Sequence, residues 1–123
     1  MPYIKQERRK AVEGGDIKNV GELNYYITMK ILGYVKEKGE SYATWCDAFS
    51  VLEMARIRPM DAKIFDYPDR LHELSNSILP VLHLWPNTCE ALATIAMVEQ
   101  EFYRRRIGPY ESRKAEENGD VFT

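Results

Sequence analysis

The sequence predicts an all-α protein, a small antiparallel helical bundle of four to five helices. Apolar residues recur at three- and four-residue steps in several segments, which is the pattern of amphipathic helices. Helix caps, glycines and prolines separate these segments, and no long stretch alternates apolar and polar residues as a strand would. At 123 residues, 45% of them hydrophobic, the chain can bury the core of one domain without a metal or a disulfide.

The first two predicted helices form a hairpin. Residues 21–38 carry one apolar stripe, and Gly39 follows as a stop signal. Ser41 can cap a second helix by accepting a hydrogen bond from a free amide of its first turn, and Pro59 ends that helix. A short break between two amphipathic helices makes them antiparallel neighbours. The aromatic residues of the second helix are predicted to lie in the core: Tyr42, Trp45 and Phe49.

The middle of the chain is less regular. Residues 59–67 fit either a helical turn or a loop. A third helix is predicted from near Pro68, and Pro80 ends or kinks it because proline lacks the amide hydrogen that a helix interior needs. The apolar run at residues 81–85 is too short to assign to helix or strand.

The last third predicts two more helices. Asn87 and Glu90 have the spacing of a capping box, which opens a fourth long helix with Leu92 on its inner face. Gly108-Pro109 is a stop signal for that helix, and the proline also suits the first position of a final short helix.

The predicted domain organisation is simple. Residues 1–18 are polar and form an N-terminal arm, and residues 19–123 form a single helical domain. Charged residues rather than an apolar signal sequence follow Met1, and no apolar run approaches the roughly 20 residues that span a bilayer. We therefore expect a cytoplasmic protein, in the host cytoplasm if the gene is viral, with Cys46 and Cys89 as small core hydrophobes.

The charge balance argues against a nucleic-acid-binding protein. The formal net charge is −2, whereas indiscriminate attraction to phosphate backbones needs an excess of Lys and Arg. Basic residues are nevertheless clustered at the start of the chain and again near its end. The two clusters are Lys5, Arg8, Arg9 and Lys10, and Arg104, Arg105 and Arg106.

Three segments carry a resemblance to a known family. They are residues 21–25 (GELNY), residues 41–44 (SYAT) and the closing run at residues 101–122 (EFYRRRIGPYESRKAEENGDVF). In this order they resemble a family of short proteins from bacteria, archaea and their phages that is catalogued only as a domain of unknown function. The resemblance implies no activity, substrate or cofactor.

The chain departs from that family pattern in two places. Phe122 stands where a tyrosine is usual, so no role for a phenol is implied there. Residues 56–87 form an insertion relative to shorter relatives, and an extra helix there would cover a surface that those relatives leave open.

The candidate ligand- or partner-binding residues come from the first and the last of these three motif segments. Guanidinium groups can take a phosphate through two hydrogen bonds, and tyrosine rings can stack on a base. The alternative is structural, because arginines in a last helical turn complement the helix dipole, and an acid near the start of the first helix could pair with them. Consecutive residues diverge by about 100° around a helix, so residues 104–106 cannot all face one ligand. The candidates are Glu22, Asn24, Tyr25, Tyr103, Arg104, Arg105, Tyr110, Glu111 and Lys114.

No catalytic or metal-binding pattern was found. His72 and His83 are not spaced as zinc ligands, and the acidic run at residues 116–120 lacks the alternation of a calcium loop. We therefore expect no catalytic residues, no metal and no cofactor.

The predicted function is a non-enzymatic binding or interaction module, encoded by a prokaryote or a phage and assembled as a homo-oligomer. Its expected partner is a host protein or a nucleotide-like small molecule, with no membrane and no nucleic acid. The alternatives left open are a small all-helical enzyme acting on nucleotides and a nucleic-acid-binding regulator built on the helical hairpin.

Overall fold

A computed structural model describes residues 3–56 and 68–122, and within these ranges the chain is α-helical with no strand. The predicted all-α class is confirmed. In chain order the elements are α1 (Gln6–Glu13), α2 (Val20–Lys38), α3 (Tyr42–Met54), α4 (Asp69–His83), α5 (Thr88–Phe102), a π-helical turn (Tyr103–Ile107) and α6 (Gly108–Asn118).

Helix α2 is the centre of the bundle, and it contacts α1, α3, α4 and α5. Its apolar stripe is removed from water, and the fully buried side chains of the partner helices pack around it. Among the described residues, the largest fully buried aliphatic side chains are Val12, Leu23, Ile27, Ile31, Val51, Leu52, Ile78, Ile95 and Val98.

Side-chain caps set the start of three helices, and the sequence predicts two of them, Ser41 and Asn87. Asn19 accepts from the amide of Glu22 at 2.9 Å, and Asn87 caps α5 in the same way at 3.1 Å. Ser41 accepts from the amide of Thr44 at 3.2 Å. Each bond satisfies an amide that has no carbonyl partner within its helix, so the sequence locates these starts to within a residue.

The first difference from the prediction is α1, which lies inside the expected polar arm. Its one inward apolar residue, Val12, is fully buried against α2. An eight-residue helix with a single buried side chain shows no apolar stripe, so periodicity gives no signal for it.

The second difference is at Pro80, which lies inside α4 and does not end it. The helix continues to His83, so residues 81–83 are its last turn. Pro80 and Asn76 are both exposed, so the carbonyl that loses its helical partner there can bond to water. The second predicted helix, α3, ends at Met54, before the predicted stop at Pro59, and residues 59–67 lie outside the described residues.

Some residues expected in the core are exposed. Cys46 and Cys89 are both exposed free thiols, Tyr42 is 54% exposed, and Leu92 is 39% exposed. Cys46 and Cys89 lie on the sides of α3 and α5 roughly opposite the buried stripe, because each residue turns by about 100° around a helix.

The π-helical turn joins α5 to α6 without a break. Phe102 and Ile107 are both buried, although residues five apart in an α-helix would diverge by about 140°. The wider turn brings them to one face, with the amide of Gly108 donating to the carbonyl of Tyr103. A Cβ at Gly108 would lie 3.1 Å from that carbonyl oxygen, which explains the glycine. The expected stop at Gly108-Pro109 is therefore a change of helix type.

In the described part of the chain, no helix is long and apolar enough to cross a bilayer.

Candidate functional site

A cleft lies where the start of the chain, the middle of α2 and the end of α5 meet. We call it the arginine cleft, and its volume is about 240 Å³. The starts of α2 and α5 line one groove and the end of α5 lies beside the middle of α2, so the two helices run in the same direction. The residues that line the cleft include Tyr3, Arg9, Tyr25, Phe102, Arg105 and Arg106.

Arg9 and Tyr25 form one wall of the cleft. The guanidinium carbon of Arg9 lies 5.9 Å from the centre of the Tyr25 ring, a cation–π contact between α1 and α2. The Tyr25 hydroxyl donates to Glu13 Oε2 at 3.1 Å, which fixes the ring. Burial and this carboxylate raise the pKa of Tyr25, so the phenol stays neutral at physiological pH.

Arg9 is a cation without a carboxylate partner. Its Nε atom is buried and makes no hydrogen bond within the described residues, and no ion pair is formed by its guanidinium there. A buried donor left unsatisfied loses its hydration without compensation. The cleft therefore holds both a positive charge and an unused hydrogen-bond donor.

The opposite wall is organised by Glu101. Its Oε1 atom accepts from Tyr3 at 3.1 Å and from Arg104 at 2.7 Å, and it lies 2.9 Å from Arg105 Nε. Burial raises the pKa of Glu101, but its hydrogen bond from Tyr3 and the charges of the two arginines outweigh burial and lower it. The Arg105 guanidinium also lies 5.9 Å from the Tyr3 ring, so Tyr3 is held against this wall.

Arg106 and the floor complete the cleft. Arg106 reaches it while pairing with Glu40 at 3.1 Å. Leu32 and the buried ring of Phe102 provide apolar surface. The cleft thus offers three guanidinium groups, one of them unpaired, above an apolar floor edged by two tyrosines.

Glu22 does not belong to the cleft. It was expected to pair with the arginines at residues 104–106, but it pairs with Arg8, whose Nε and Nη2 donate to its two carboxyl oxygens at 2.9 Å. The amide of Lys18 also donates to it at 2.9 Å. The hydrogen bond from Arg8 lowers the pKa of Glu22 to about 2. This network ties α1 to α2 and is structural.

Asn24 also faces away from the cleft. Its side chain is buried, and its Oδ1 accepts from Thr28 at 3.1 Å. It lines a separate groove near the starts of α2 and α5, together with Thr94. Within the segment from Glu22 to Tyr25, only the tyrosine reaches the arginine cleft.

Four of the remaining candidates line a second, open groove along α6, which we call the α6 groove: Tyr103, Arg104, Glu111 and Lys114. Tyr103 donates to Glu111 at 2.6 Å, and this bond raises the pKa of Tyr103. Lys114 also lies 5.7 Å from the ring centre of Tyr110. The structure therefore divides the predicted set, placing Tyr25 and Arg105 in the arginine cleft and most closing-segment residues in the α6 groove.

Arg104, Arg105 and Arg106 do not face one ligand, in agreement with the helical-wheel argument. Arg104 lines the α6 groove, whereas Arg105 and Arg106 line the arginine cleft. Arg9 and Tyr3 were missed as site residues. The basic cluster at the start of the chain was a signal for Arg9, but nothing in sequence spacing connects it to a residue about 96 positions later.

A pair of carboxyl groups between α3 and α5 was also missed. Burial, and then the neighbouring carboxyl of Glu53, raise the pKa of Glu99 to about 7. Arg56 contacts both carboxyls, at 2.8 Å from Glu53 and 3.4 Å from Glu99. In the described part of the chain, no group of three or more His, Cys, Asp or Glu side chains could hold a metal ion.

Comparison with known families gave one match. The model of a family described as a domain of unknown function (DUF6899) matches residues 1–70. The matched region includes α1, α2 and α3, with two of the three motif segments, and ends before the closing run. Comparisons with curated proteins and with solved structures gave no match.

Proposed function

The chain belongs to the DUF6899 family, a domain of unknown function, and from that premise we propose a function on the geometry of the arginine cleft. We propose that the protein is a non-enzymatic binding module that holds a small, nucleotide-like anion in this cleft. Arg9 is the primary anion-binding residue in this proposal, Arg105 and Arg106 supply further charge, and the tyrosines and the apolar floor receive a planar group.

The observation that carries the proposal is the unsatisfied guanidinium of Arg9. Its buried Nε has no hydrogen-bond partner in the described chain, and such groups are rare in folded proteins. A phosphate or carboxylate oxygen would satisfy this donor and neutralise the charge. Guanidinium groups suit oxyanions because their fork of N–H donors matches the spacing of two oxygens.

The shape of the cleft supports a small ligand with an apolar part. Pockets for drug-sized ligands usually measure about 300–1,000 Å³, and the arginine cleft is slightly smaller, at about 240 Å³. It can enclose a base-sized ring or an anionic group, while the rest of a larger ligand stays in solvent. Leu32 and Phe102 provide the apolar surface that a ring would cover.

Several broader features belong to the same proposal. The family motifs suggest that such proteins occur in bacteria, archaea and their phages. The protein would act in the cytoplasm as a homo-oligomer. In a phage setting, sequestering a nucleotide-like signal or blocking a host protein would each use an anion-recognising surface of this kind. The net charge of −2 makes a long nucleic acid a poorer partner than a single nucleotide.

A thermal-shift screen tests the proposal. The panel contains inorganic phosphate, nucleoside monophosphates and diphosphates, and cyclic dinucleotides, each with and without magnesium. A ligand at one hundred times its dissociation constant should raise Tm by about 8 °C. Arg9→Gln should lose this shift, because it removes the unpaired charge.

Arg113→Gln is the matched control, since it removes the same charge from an exposed position on α6, and Arg113 lines neither the arginine cleft nor the α6 groove. It should keep the full shift. A panel with no stabilising member would contradict the proposal, as would an Arg9→Gln protein that responds like the wild type. Magnesium-dependent consumption of a nucleotide would show an enzyme instead.

A further inference from the structure

The end of the chain carries two adjacent and highly exposed apolar side chains. Val121 is 87% exposed and Phe122 is 95% exposed. The amide of Phe122 donates to Asp120 Oδ1 at 2.8 Å, so the two residues project from a defined turn. An exposed aromatic residue beside an exposed aliphatic one gains stability only when a partner surface covers both.

Helix α6, which carries this end, has little packing within its own chain. None of its residues is buried, and it packs mainly on the π-helical turn. At about 1.5 Å per residue its eleven residues span about 16 Å. The turn at Asp120 lines the α6 groove with Arg104, rather than the arginine cleft of the same chain.

The end of α6 and the arginine cleft have opposite charges. Residues 115–122 contain Glu116, Glu117 and Asp120 and no Lys or Arg. Lys114 pairs with Glu117 at 3.3 Å, and Asp120 accepts from the amide of Phe122, so the exposed Glu116 is the carboxylate of this segment that forms no ion pair within the described residues. The arginine cleft combines an unpaired guanidinium with an apolar floor, so it complements both parts of this segment.

We propose that residues 116–122 of one copy of this chain dock in the arginine cleft of a second copy, with Phe122 as the anchor. The Phe122 ring covers the apolar floor, and the acidic residues before it approach Arg9 and Arg106. The contact is head-to-tail, because the donated segment and the accepting cleft are different surfaces. The docked segment competes with any small anion for the arginine cleft, but the docking does not require such a ligand.

Sedimentation velocity across a wide concentration range tests this association. The wild type should self-associate, and Phe122→Ser should raise the dissociation constant about tenfold or more, because burial of one phenylalanine is lost. The substitution is at a 95% exposed position, so the fold is kept. Leu84→Ser removes a similarly exposed residue outside the segment, and it should associate like the wild type.

A mixing experiment tests the head-to-tail geometry. Phe122→Ser lacks the anchor but keeps the cleft, whereas Arg9→Gln lacks the cation but keeps the anchor. Each should be monomeric alone at concentrations where the wild type associates, and an equal mixture should form a heterodimer through the one intact interface. A monomeric wild type would overturn the proposal, as would association that survives Phe122→Ser or a mixture that stays monomeric.

The docking proposal can be rejected without rejecting the proposed function. Phe122→Ser has an intact arginine cleft, so its thermal response to the nucleotide panel reports small-ligand binding whatever its mass. A monomeric wild type whose Tm rises with a nucleotide retains the function and rejects the docking.

Discussion

Arg8 and Arg9 are neighbours on α1, yet their surroundings are opposite. Arg8 donates to both oxygens of Glu22 and to Asp16, and these hydrogen bonds raise its pKa. Arg9 packs on the ring of Tyr25 with a buried Nε that has no partner in the described residues. A helix turns by about 100° per residue, so adjacent side chains reach different surfaces. Arg8 therefore holds α1 to α2, whereas Arg9 keeps an unused hydrogen-bond donor beside the cleft.

The largest expected effect is from Arg8→Gln. It leaves the buried Glu22 carboxylate without its cationic partner, and an uncompensated buried charge is strongly destabilising. We expect Tm to fall by about 10 °C, measured by circular dichroism.

Arg9→Gln is the matched variant, and its Tm should stay within about 2 °C of the wild type because no ion pair is lost. If both substitutions destabilise equally, Arg9 also holds the fold, and the distinction between the two arginines fails.

The second prediction concerns acid unfolding. The pKa of Glu22 is about 2 in the folded chain and near 4.5 when unfolded, so its pairing stabilises the protein above pH 4.5. This contribution is lost as the pH falls from 4.5 to 2. The drop in Tm over that window should be several degrees smaller in Arg8→Gln than in the wild type. Equal pH profiles would show that the Arg8–Glu22 pair does not govern acid stability.

The third prediction concerns Glu99, whose raised pKa makes the folded chain less stable, not more stable, as the pH rises. The pKa of Glu99 is about 7 in the folded chain, above its ordinary 4.5, so the folded state binds the proton more tightly. Glu99 therefore destabilises the fold progressively as the pH rises from 4.5 to 7. At pH 8, Glu99→Gln should be more stable than the wild type by about 3 °C, and the two should converge near pH 4. A variant that is less stable at pH 8 would contradict this.

The smallest expected effect is from Tyr25→Phe. It removes the hydrogen bond to Glu13 but keeps the ring under Arg9, so Tm should fall by only about 3 °C. Ligand affinity should change less than in Arg9→Gln. A loss of binding as large as that of Arg9→Gln would assign the phenol a direct contact.

The sequence predicts the helices whose signals are local. The caps at Ser41 and Asn87 were recognised because each signal lies within a few residues, and so was the apolar stripe of α2, whereas the cap at Asn19 was missed. Helix α1 has no stripe, so its packing is visible only in three dimensions. The continuation through Gly108 was missed because a π-helical turn accommodates the residues that would stop an α-helix.

The candidate site was predicted in part, and for a similar reason. Tyr25 and Arg105 were selected by residue type and motif, and they do line the same cleft. The partner of Glu22 was assigned to the wrong arginine cluster, because a distant basic cluster and a near one look alike in sequence. Tyr3 and Glu101 are 98 residues apart, and nothing in either neighbourhood indicates their hydrogen bond.

Calorimetric titration of three proteins tests the central claim most directly. The wild type, Arg9→Gln and Arg113→Gln would each be titrated with the nucleoside phosphate that stabilises the wild type best. We expect Arg113→Gln to bind like the wild type and Arg9→Gln to bind at least about tenfold more weakly, because a charge-assisted hydrogen bond is lost. Equal affinity for the wild type and Arg9→Gln would contradict the assignment of Arg9 as the anion-binding residue.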